Sequence, residues 1–184
     1  MEKLLSDLLT YSRTIHPDTV KVENTDLSKS LAQALATLNI RIEENGADIE
    51  FNELPTVAGD EAQLAQVFQN LLSNALKYRR HDLSPKIVIS AEQHGKEWVV
   101  SVADNGIGFD QQYARRIFGL FKRLHKDEYP GTGLGLAICH RIIERCGGRM
   151  WAEGRPGQGS SFYLAFPIPA DDVARDCSLI QSQP

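Results

Sequence analysis

The stretch "DEAQLAQVFQNLLSNALKYRR", residues 60–80, decides the fold of this 184-residue chain. It predicts a helix capped by Asp60, because one side collects apolar residues at helical spacing: Leu64, Val67, Phe68, Leu71 and Ala75. The other side carries Gln63, Gln66, Asn70, Asn74 and Lys77. Asparagine is a poor helix former, since its side chain competes for backbone hydrogen bonds, so two of them four residues apart indicate another use. Amide oxygens suit a hard cation such as Mg²⁺ and a lysine suits phosphate, whereas a plain solvated face is the alternative.

The second informative stretch is "VVSVADNGIGFD", residues 99–110. Asp104 ends an apolar strand, so we expect its carboxylate to point into the fold and to need a donor partner. The exocyclic amine of adenine is one such donor. Gly108 lets a backbone or a ligand approach closely, although an ordinary hairpin turn is the alternative interpretation.

A glycine-rich loop in "YPGTGLGLAICHRI", residues 129–142, leads directly into a helix. Gly131, Gly133 and Gly135 leave backbone N–H groups accessible at the helix start, which is typical of an anion site. A dinucleotide-binding fingerprint would need glycine where Leu136 stands, and a preceding strand in place of a charged loop. A purely structural turn is the remaining alternative.

The rest of the chain predicts an α/β fold with a mixed sheet and helices on one face. Asp26 caps a second long helix that ends at Gly46, and a third helix follows the glycine loop. Strands are predicted at 20–25, 48–52, 55–59, 86–93, 97–104, 149–154 and 159–167. Residues 111–121, "QQYARRIFGLF", are predicted to be helical.

Taken in order, these elements resemble the ATP-binding catalytic domain of sensor histidine kinases, a Bergerat-type fold of the GHKL ATPase superfamily. The matching pattern is Gln66-x-x-x-Asn70-x-x-x-Asn74-x-x-Lys77-Tyr78, then Asp104-x-Gly106-x-Gly108, then "RIFGLF", then Gly131-x-Gly133-x-Gly135. It covers about residues 18–167, and residues 121–148 are most similar to the bacterial phytochrome-type kinases. The resemblance implies a two-layer α/β sandwich that binds ATP and Mg²⁺ under a mobile lid at about 119–131.

The resemblance also implies a role for each matched residue at the phosphates. Asn70 would hold Mg²⁺, while Asn74 and Lys77 would lie along the phosphates. Arg123 would reach the phosphates from the lid, so that Asn70, Lys77 and Arg123 form the catalytic set. The glycine loop would wrap the phosphates through Thr132, Gly133, Leu134, Gly135 and Leu136.

At the base, Tyr78 would lie against the nucleotide and Asp104 would accept from the adenine amine. Gly106 and Gly108 would shape that wall, and Phe118 and Phe121 would anchor the lid.

The same resemblance suggests the domain organisation. Residues 1–15 carry an apolar stripe of Leu4, Leu8, Tyr11 and Ile15 and would be the end of the second helix of a dimerisation hairpin. Residues 16–168 would form the catalytic domain, and 169–184 a flexible tail. The partners implied are a hairpin that carries the acceptor histidine and a response regulator receiver domain that takes the phosphoryl group next.

His81 begins "HDLSP", which matches the H-[ED]-x-x-P pattern of an acceptor histidine. An acceptor lies early in a long helix, whereas His81 follows the helix of residues 60–80, and Pro85 disfavours helix at Ser84. We therefore interpret His81 as a loop histidine and expect no phosphoacceptor in this chain. A regulatory serine kinase, or a non-catalytic nucleotide-binding module on the same fold, is the alternative function.

Composition limits the remaining classes. The net charge of −4 gives no electrostatic reason to expect nucleic acid or an anionic membrane as partner. No apolar run reaches the ~20 residues of a membrane span. Cys139, Cys146 and Cys177 are odd in number and lack C-x-x-C spacing, which indicates reduced thiols and a cytoplasmic location.

Overall fold

The computed structural model describes residues 23–124, 129 and 131–168, and near the N-terminus Leu5, Leu8, Leu9, Tyr11 and Ser12. Those five N-terminal residues are helical, as predicted. Tyr11 packs against the core, while the three leucines are exposed. The predicted tail at 169–184, and Leu4 and Ile15 of the predicted stripe, lie outside the described residues.

The described residues include seven strands in two sheets. Their bounds are β1 Glu23–Asp26, β2 Asp48–Phe51, β3 Thr56–Gly59, β4 Lys86–His94, β5 Glu97–Asp104, β6 Arg149–Arg155 and β7 Gly159–Pro167. The main sheet has the order β2-β4-β5-β7-β6, with β2 and β4 parallel and the other pairs antiparallel. β1 and β3 form a separate antiparallel pair. The prediction of a mixed sheet is confirmed.

Beyond the N-terminal residues, the described part of the chain has three α-helices, of which the second packs against the other two: α1 Leu27–Glu44, α2 Glu61–Lys77 and α3 Gly135–Arg145. α1 begins where predicted, because the Asp26 carboxylate accepts from the Ser28 N–H at 2.8 Å. α2 begins likewise at Asp60, which accepts from the Gln63 N–H at 2.9 Å. These caps are local, which explains why the sequence alone predicts both helix starts.

The core lies between the helices and one face of the main sheet. α2 contributes Phe68 and Leu71, which are 1% exposed, and the sheet contributes Val100, Val102 and Leu164. Each such side chain stabilises the fold by roughly 1.5–3 kcal/mol through burial. The strand register also places Asp104 directly opposite Ser160 at the end of β5 and β7. The packing of the core thus fixes the position of Asp104, the polar last residue of β5.

The prediction that residues 111–121 are helical is confirmed only in part, because no continuous α-helix forms there. Two short 3₁₀ turns, Gln111–Tyr113 and Arg116–Phe118, stand there instead. The Gln111 amide accepts from the Gly154 N–H at 2.9 Å and donates to the Ala152 carbonyl at 3.4 Å. These bonds hold one end of the segment at the edge of β6, and Gly119 is extended at the other end. The two constraints prevent a continuous α-helix.

Among the described residues, no helix is long and apolar enough to cross a membrane.

Candidate functional site

A continuous cleft opens between α2, the end of β5 and the start of α3. We divide it into two ends that share Asn74, Tyr78, Ile117, Lys122, Arg123 and Leu136. The carboxylate end, about 590 Å³ with its open mouth, adds Asp104, Ile107, Gly108, Phe109, Leu124, Ser160 and Phe162. The cation end, about 730 Å³ on the same measure, adds Asn70, Ser73, Lys77, Gly131, Thr132, Gly133 and Gly135. Most of the residues predicted from the sequence therefore line one cleft.

Asp104 provides the acidic group of the carboxylate end. Its Oδ1 accepts from the backbone N–H of Gly106 at 2.8 Å and of Ser160 at 3.3 Å. Burial raises the pKa of Asp104 to about 6, although these hydrogen bonds act in the opposite direction. The group is therefore ionised at pH 7.5, and it presents an acceptor in an otherwise apolar wall of Ile107, Phe109 and Phe162.

Gly108 allows the wall beside Asp104 to close. Its φ is +65°, and a Cβ built there would lie 2.0 Å from the carbonyl oxygen of Arg155. Any side chain would therefore push the loop after β5 away from the turn between β6 and β7. The close approach explains why the sequence requires glycine at this position.

The cation end is lined by three basic residues, Lys77, Lys122 and Arg123, and by the start of α3. The Lys77 ammonium lies 3.0 Å from the Tyr78 hydroxyl and above its ring. None of the described residues that line this end is aspartate, glutamate or histidine. Positive charge and helix-start N–H groups together make this end suited to a polyanion.

Asn70 lies at the floor of the cation end. Its Nδ2 is 3.5 Å from the Gly135 carbonyl oxygen, and its amide also reaches the buried thiol of Cys139. The side chain is thus held by α3, while Oδ1 remains the atom able to serve a cation. Among the described residues there is no cluster of three histidine, cysteine, aspartate or glutamate side chains. A single amide oxygen beside a polyphosphate fits the few protein ligands that Mg²⁺ takes.

The lid segment folds across the cleft where it is described. Arg123 donates to the carbonyl oxygen of Tyr129, and the Tyr129 ring packs against Tyr78 with centroids 5.0 Å apart. Phe118 packs beside His140, with ring centroids 5.4 Å apart. Phe121 is 52% exposed, and its backbone is so close to Gly133 that a Cβ built there would lie 2.8 Å from the Phe121 carbonyl carbon. The lid-anchor roles of both residues stay predictions.

Four other predicted positions lie outside the cleft lining. Leu134 is fully buried in the core, and its N–H faces the Thr132 hydroxyl at 3.4 Å. Gly106 stands behind the wall, where its N–H holds Asp104. Gln66 lines a separate groove against α1, and Gln63 lies outside the cleft lining as well. Leu134 thus supports the core and Gly106 the site, whereas neither glutamine lines the cleft.

The sequence did not identify eight lining residues, which are Ser73, Ile107, Phe109, Ile117, Lys122, Leu124, Ser160 and Phe162. The apolar ones are indistinguishable from core residues in a sequence. Lys122 neighbours Arg123, and its place in a basic lid could have been noticed. Ser160 could not, because only the pairing of β5 with β7 brings it to Asp104.

Comparison with known protein families shows that more than half of the chain matches a family model. Residues 59–170 match the model of the histidine kinase-, DNA gyrase B-, and HSP90-like ATPase family. This range includes α2, the end of β5 and the glycine loop. It therefore contains every residue described above as lining the cleft.

Individual relatives are similar over nearly the whole chain. The phytochrome-like protein Cph1 of Synechocystis sp. is 48% identical over 169 residues, which are 91% of this chain and 22% of the relative. The adaptive-response sensory kinase SasA of Prochlorococcus marinus is 33% identical, over 91% of this chain and 46% of the relative. The chain thus spans about a fifth of the phytochrome-like relatives.

Solved structures agree with the fold. Full-length ShkA in complex with AMPPNP superposes with a TM-score of 0.75 at 29% identity, over 89% of this chain and 35% of that one. The histidine kinase ThkA in complex with the response regulator protein TrrA gives a TM-score of 0.72 at 26% identity, over 92% and 48%.

Proposed function

The chain belongs to the histidine kinase-, DNA gyrase B-, and HSP90-like ATPase family, and we propose that it transfers the γ-phosphoryl group of ATP to a histidine of a partner domain. It would thus be the catalytic part of a two-component sensor histidine kinase. The observation that carries this proposal is the polarity of the cleft. A buried carboxylate stands at one end, Lys77 and the glycine loop stand at the other, and Lys122 and Arg123 line both, an arrangement that suits adenine and triphosphate.

Recognition of the base would depend on Asp104. Because its Oδ1 accepts from two backbone N–H groups, the adenine amine would meet the second carboxylate oxygen, beside the Ser160 side chain that also bonds to this carboxylate. Ile107, Phe162 and Tyr78 supply apolar surface around the base. Asp104, Gly108 and Tyr78 would thus bind the base, in the roles predicted for them.

Transfer would depend on positioning and charge, because little covalent chemistry is required of the protein. Asn74, Lys77 and Arg123 would lie along the phosphates, together with the N–H groups of Gly133 and Gly135. Asn70 would hold Mg²⁺, which would supply positive charge to the phosphates when bound. Arg123 would then exchange the Tyr129 carbonyl for a phosphate oxygen.

The acceptor would come from outside the chain. The described residues of the cation end offer no carboxylate or imidazole that could activate water, so hydrolysis should be slow. An imidazole of a dimerisation hairpin brings its own nucleophilic nitrogen. The phosphoryl group would then pass to an aspartate of a response regulator receiver domain. We place the proposed reaction in the cytoplasm, because ATP is available in that compartment.

His81 is expected to take no part in this reaction. It is exposed in the loop between α2 and β4, and it lies outside the lining of both ends of the cleft. We expect γ-labelled ATP and Mg²⁺ to leave the chain unlabelled and to label an added helical hairpin that carries an H-[ED]-x-x-P box. The measurement is autoradiography after electrophoresis without acid fixation, because phosphohistidine is labile in acid.

The matched control is His81→Ala, which should label the hairpin at the wild-type rate. Strong labelling of the chain alone that disappears in His81→Ala would contradict the proposal. Acid-stable label on a serine of a protein partner would favour the regulatory serine kinase. ATP binding without label on the hairpin or on any partner would favour the non-catalytic nucleotide-binding module, and absence of ATP binding at millimolar concentration would refute the proposed function.

A further inference from the structure

Arg80 closes a ring of hydrogen bonds around the back of the carboxylate end. The Ile107 N–H donates to the Tyr78 carbonyl at 2.9 Å, and the Gly157 N–H donates to the Ile107 carbonyl at 2.7 Å. The Arg80 Nη1 then donates to the Gly157 carbonyl at 2.8 Å. Because Arg80 follows Tyr78 by two residues, these contacts join three separate segments into a closed ring.

The three segments are the ones that build the wall at the base. The first is the end of α2, the second is the loop after β5 and the third is the turn between β6 and β7. Gly106 permits their contact, because a Cβ there would lie 2.5 Å from the Tyr78 carbonyl oxygen. The ring therefore encloses tightly packed backbone that a small shift would disturb.

Asp82 fixes the guanidinium of Arg80. Its two oxygens accept from Nε at 3.0 Å and from Nη2 at 2.6 Å, a bidentate pair that leaves Nη1 for Gly157. Asp82 is the second residue of "HDLSP". The segment that matches a phosphoacceptor box thus has a different use, in which the aspartate orients an arginine.

We propose that Arg80, oriented by Asp82, is a positioning residue that sets the selectivity of the cleft for adenine. The ring holds Gly157, and Gly157 lies three residues before Ser160, whose N–H holds the carboxylate of Asp104. It also holds Ile107, which lines the cleft directly. Loss of the ring lets both sides of the base wall move, whereas none of the described residues that line only the cation end bonds to Arg80. This inference rests on the proposed function.

The test compares ATP with inosine triphosphate, which lacks the exocyclic amine that Asp104 would bind. We expect Arg80→Ala to weaken ATP binding about five- to tenfold, the size of one to two net hydrogen bonds. Binding of inosine triphosphate should weaken less, so the ratio of the two affinities falls. The Mg²⁺ dependence of ATP binding should stay unchanged. Competition calorimetry on the full chain measures all three quantities.

Arg80→Lys separates geometry from charge. A lysine keeps the positive charge near the nucleotide, but its single ammonium cannot hold both Asp82 oxygens and Gly157. The ring therefore predicts that Arg80→Lys resembles Arg80→Ala, and that Asp82→Ala shifts the affinity ratio in the same direction by less. Retention of wild-type affinity in Arg80→Lys would overturn the proposal.

Arg149→Ala is the matched control, because Arg149 forms a similar exposed ion pair with Glu97 at 2.6 Å, at the other end of β6. It should leave both affinities unchanged. Equal weakening of ATP and inosine triphosphate in Arg80→Ala would indicate a general structural loss and refute a role in selectivity. If the wild-type chain itself bound no ATP, the proposed function would fail first, independently of the ring.

Discussion

Replacing Asn70 by aspartate is expected to lower the rate of phosphoryl transfer to an added acceptor hairpin by at least about 100-fold, or ~2.7 kcal/mol of activation free energy. The Nδ2 group lies 3.5 Å from the Gly135 carbonyl, so a carboxylate oxygen in its place would face another oxygen. The new negative charge would also stand beside the phosphates. Both effects displace the group that we propose as the Mg²⁺ ligand.

The measurement is the initial rate of hairpin labelling at saturating ATP, with thermal unfolding of each variant recorded in parallel. Gln66→Glu is the matched control, because it makes the same change from amide to acid one turn earlier on α2. Gln66 lines a groove against α1, so its variant should keep the wild-type rate. Wild-type transfer by Asn70→Asp would remove Asn70 from the proposed metal site.

The comparison of Asn70 with Gln66 shows what a helical pattern can predict. Periodicity places both amides on the polar side of α2, and it predicts the opposite, buried side correctly through Phe68 and Leu71. It does not say where the neighbouring helices pack. Because α1 and α3 contact different parts of that side, Asn70 reaches the cleft and Gln66 does not.

Elements held by local interactions were predicted well, and those held by distant ones were not. The caps of Asp26 and Asp60 lie two and three residues from their donors, so the sequence contains the whole interaction. The 3₁₀ turns at 111–118 depend on Gln111 meeting the edge of β6, more than forty residues away. No local pattern carries that information, and the residues alone favour a helix.

The same distinction applies within the cleft. Asp104 and the glycine loop have local signatures, which is why both were identified from their own segments. Ser160 lies 56 residues from Asp104, and Gly157 lies 77 residues from Arg80. Strand register creates the first contact, and the turn after β6 creates the second. Residues that hold a site in place are therefore harder to predict than those that carry its charge.

Replacing Asp104 by asparagine is expected to weaken ATP binding about 100-fold, or ~2.7 kcal/mol, while it stabilises the nucleotide-free chain. Asparagine can keep its oxygen toward the N–H groups of Gly106 and Ser160, so its NH₂ group would face the cleft. Two donors would then oppose each other at the adenine amine. Calorimetry with ATP and Mg²⁺ measures this loss.

The gain in stability follows from the pKa of Asp104, which burial raises from 3.8 to about 6. The native state binds this proton more readily than the unfolded chain, so the charge destabilises the native state at pH above 6 by up to about 3 kcal/mol. That cost disappears as the pH falls from 6 toward 4. Asp104→Asn should therefore raise the melting temperature by several degrees at pH 7.5, and by less at pH 5.

Wild-type ATP binding should weaken over the same range, because protonation of Asp104 removes the charged acceptor from the carboxylate end. Glu92→Gln is the matched control, since Glu92 has an exposed carboxylate on β4 and lies outside the cleft lining. It should change neither the affinity nor the pH dependence. If Asp104→Asn lowered the melting temperature equally at both pH values, the buried charge of Asp104 would not be destabilising the native state. If Asp104→Asn bound ATP within twofold of wild type, the cleft would bind adenine without its buried acceptor. Base recognition by Asp104 would then be refuted.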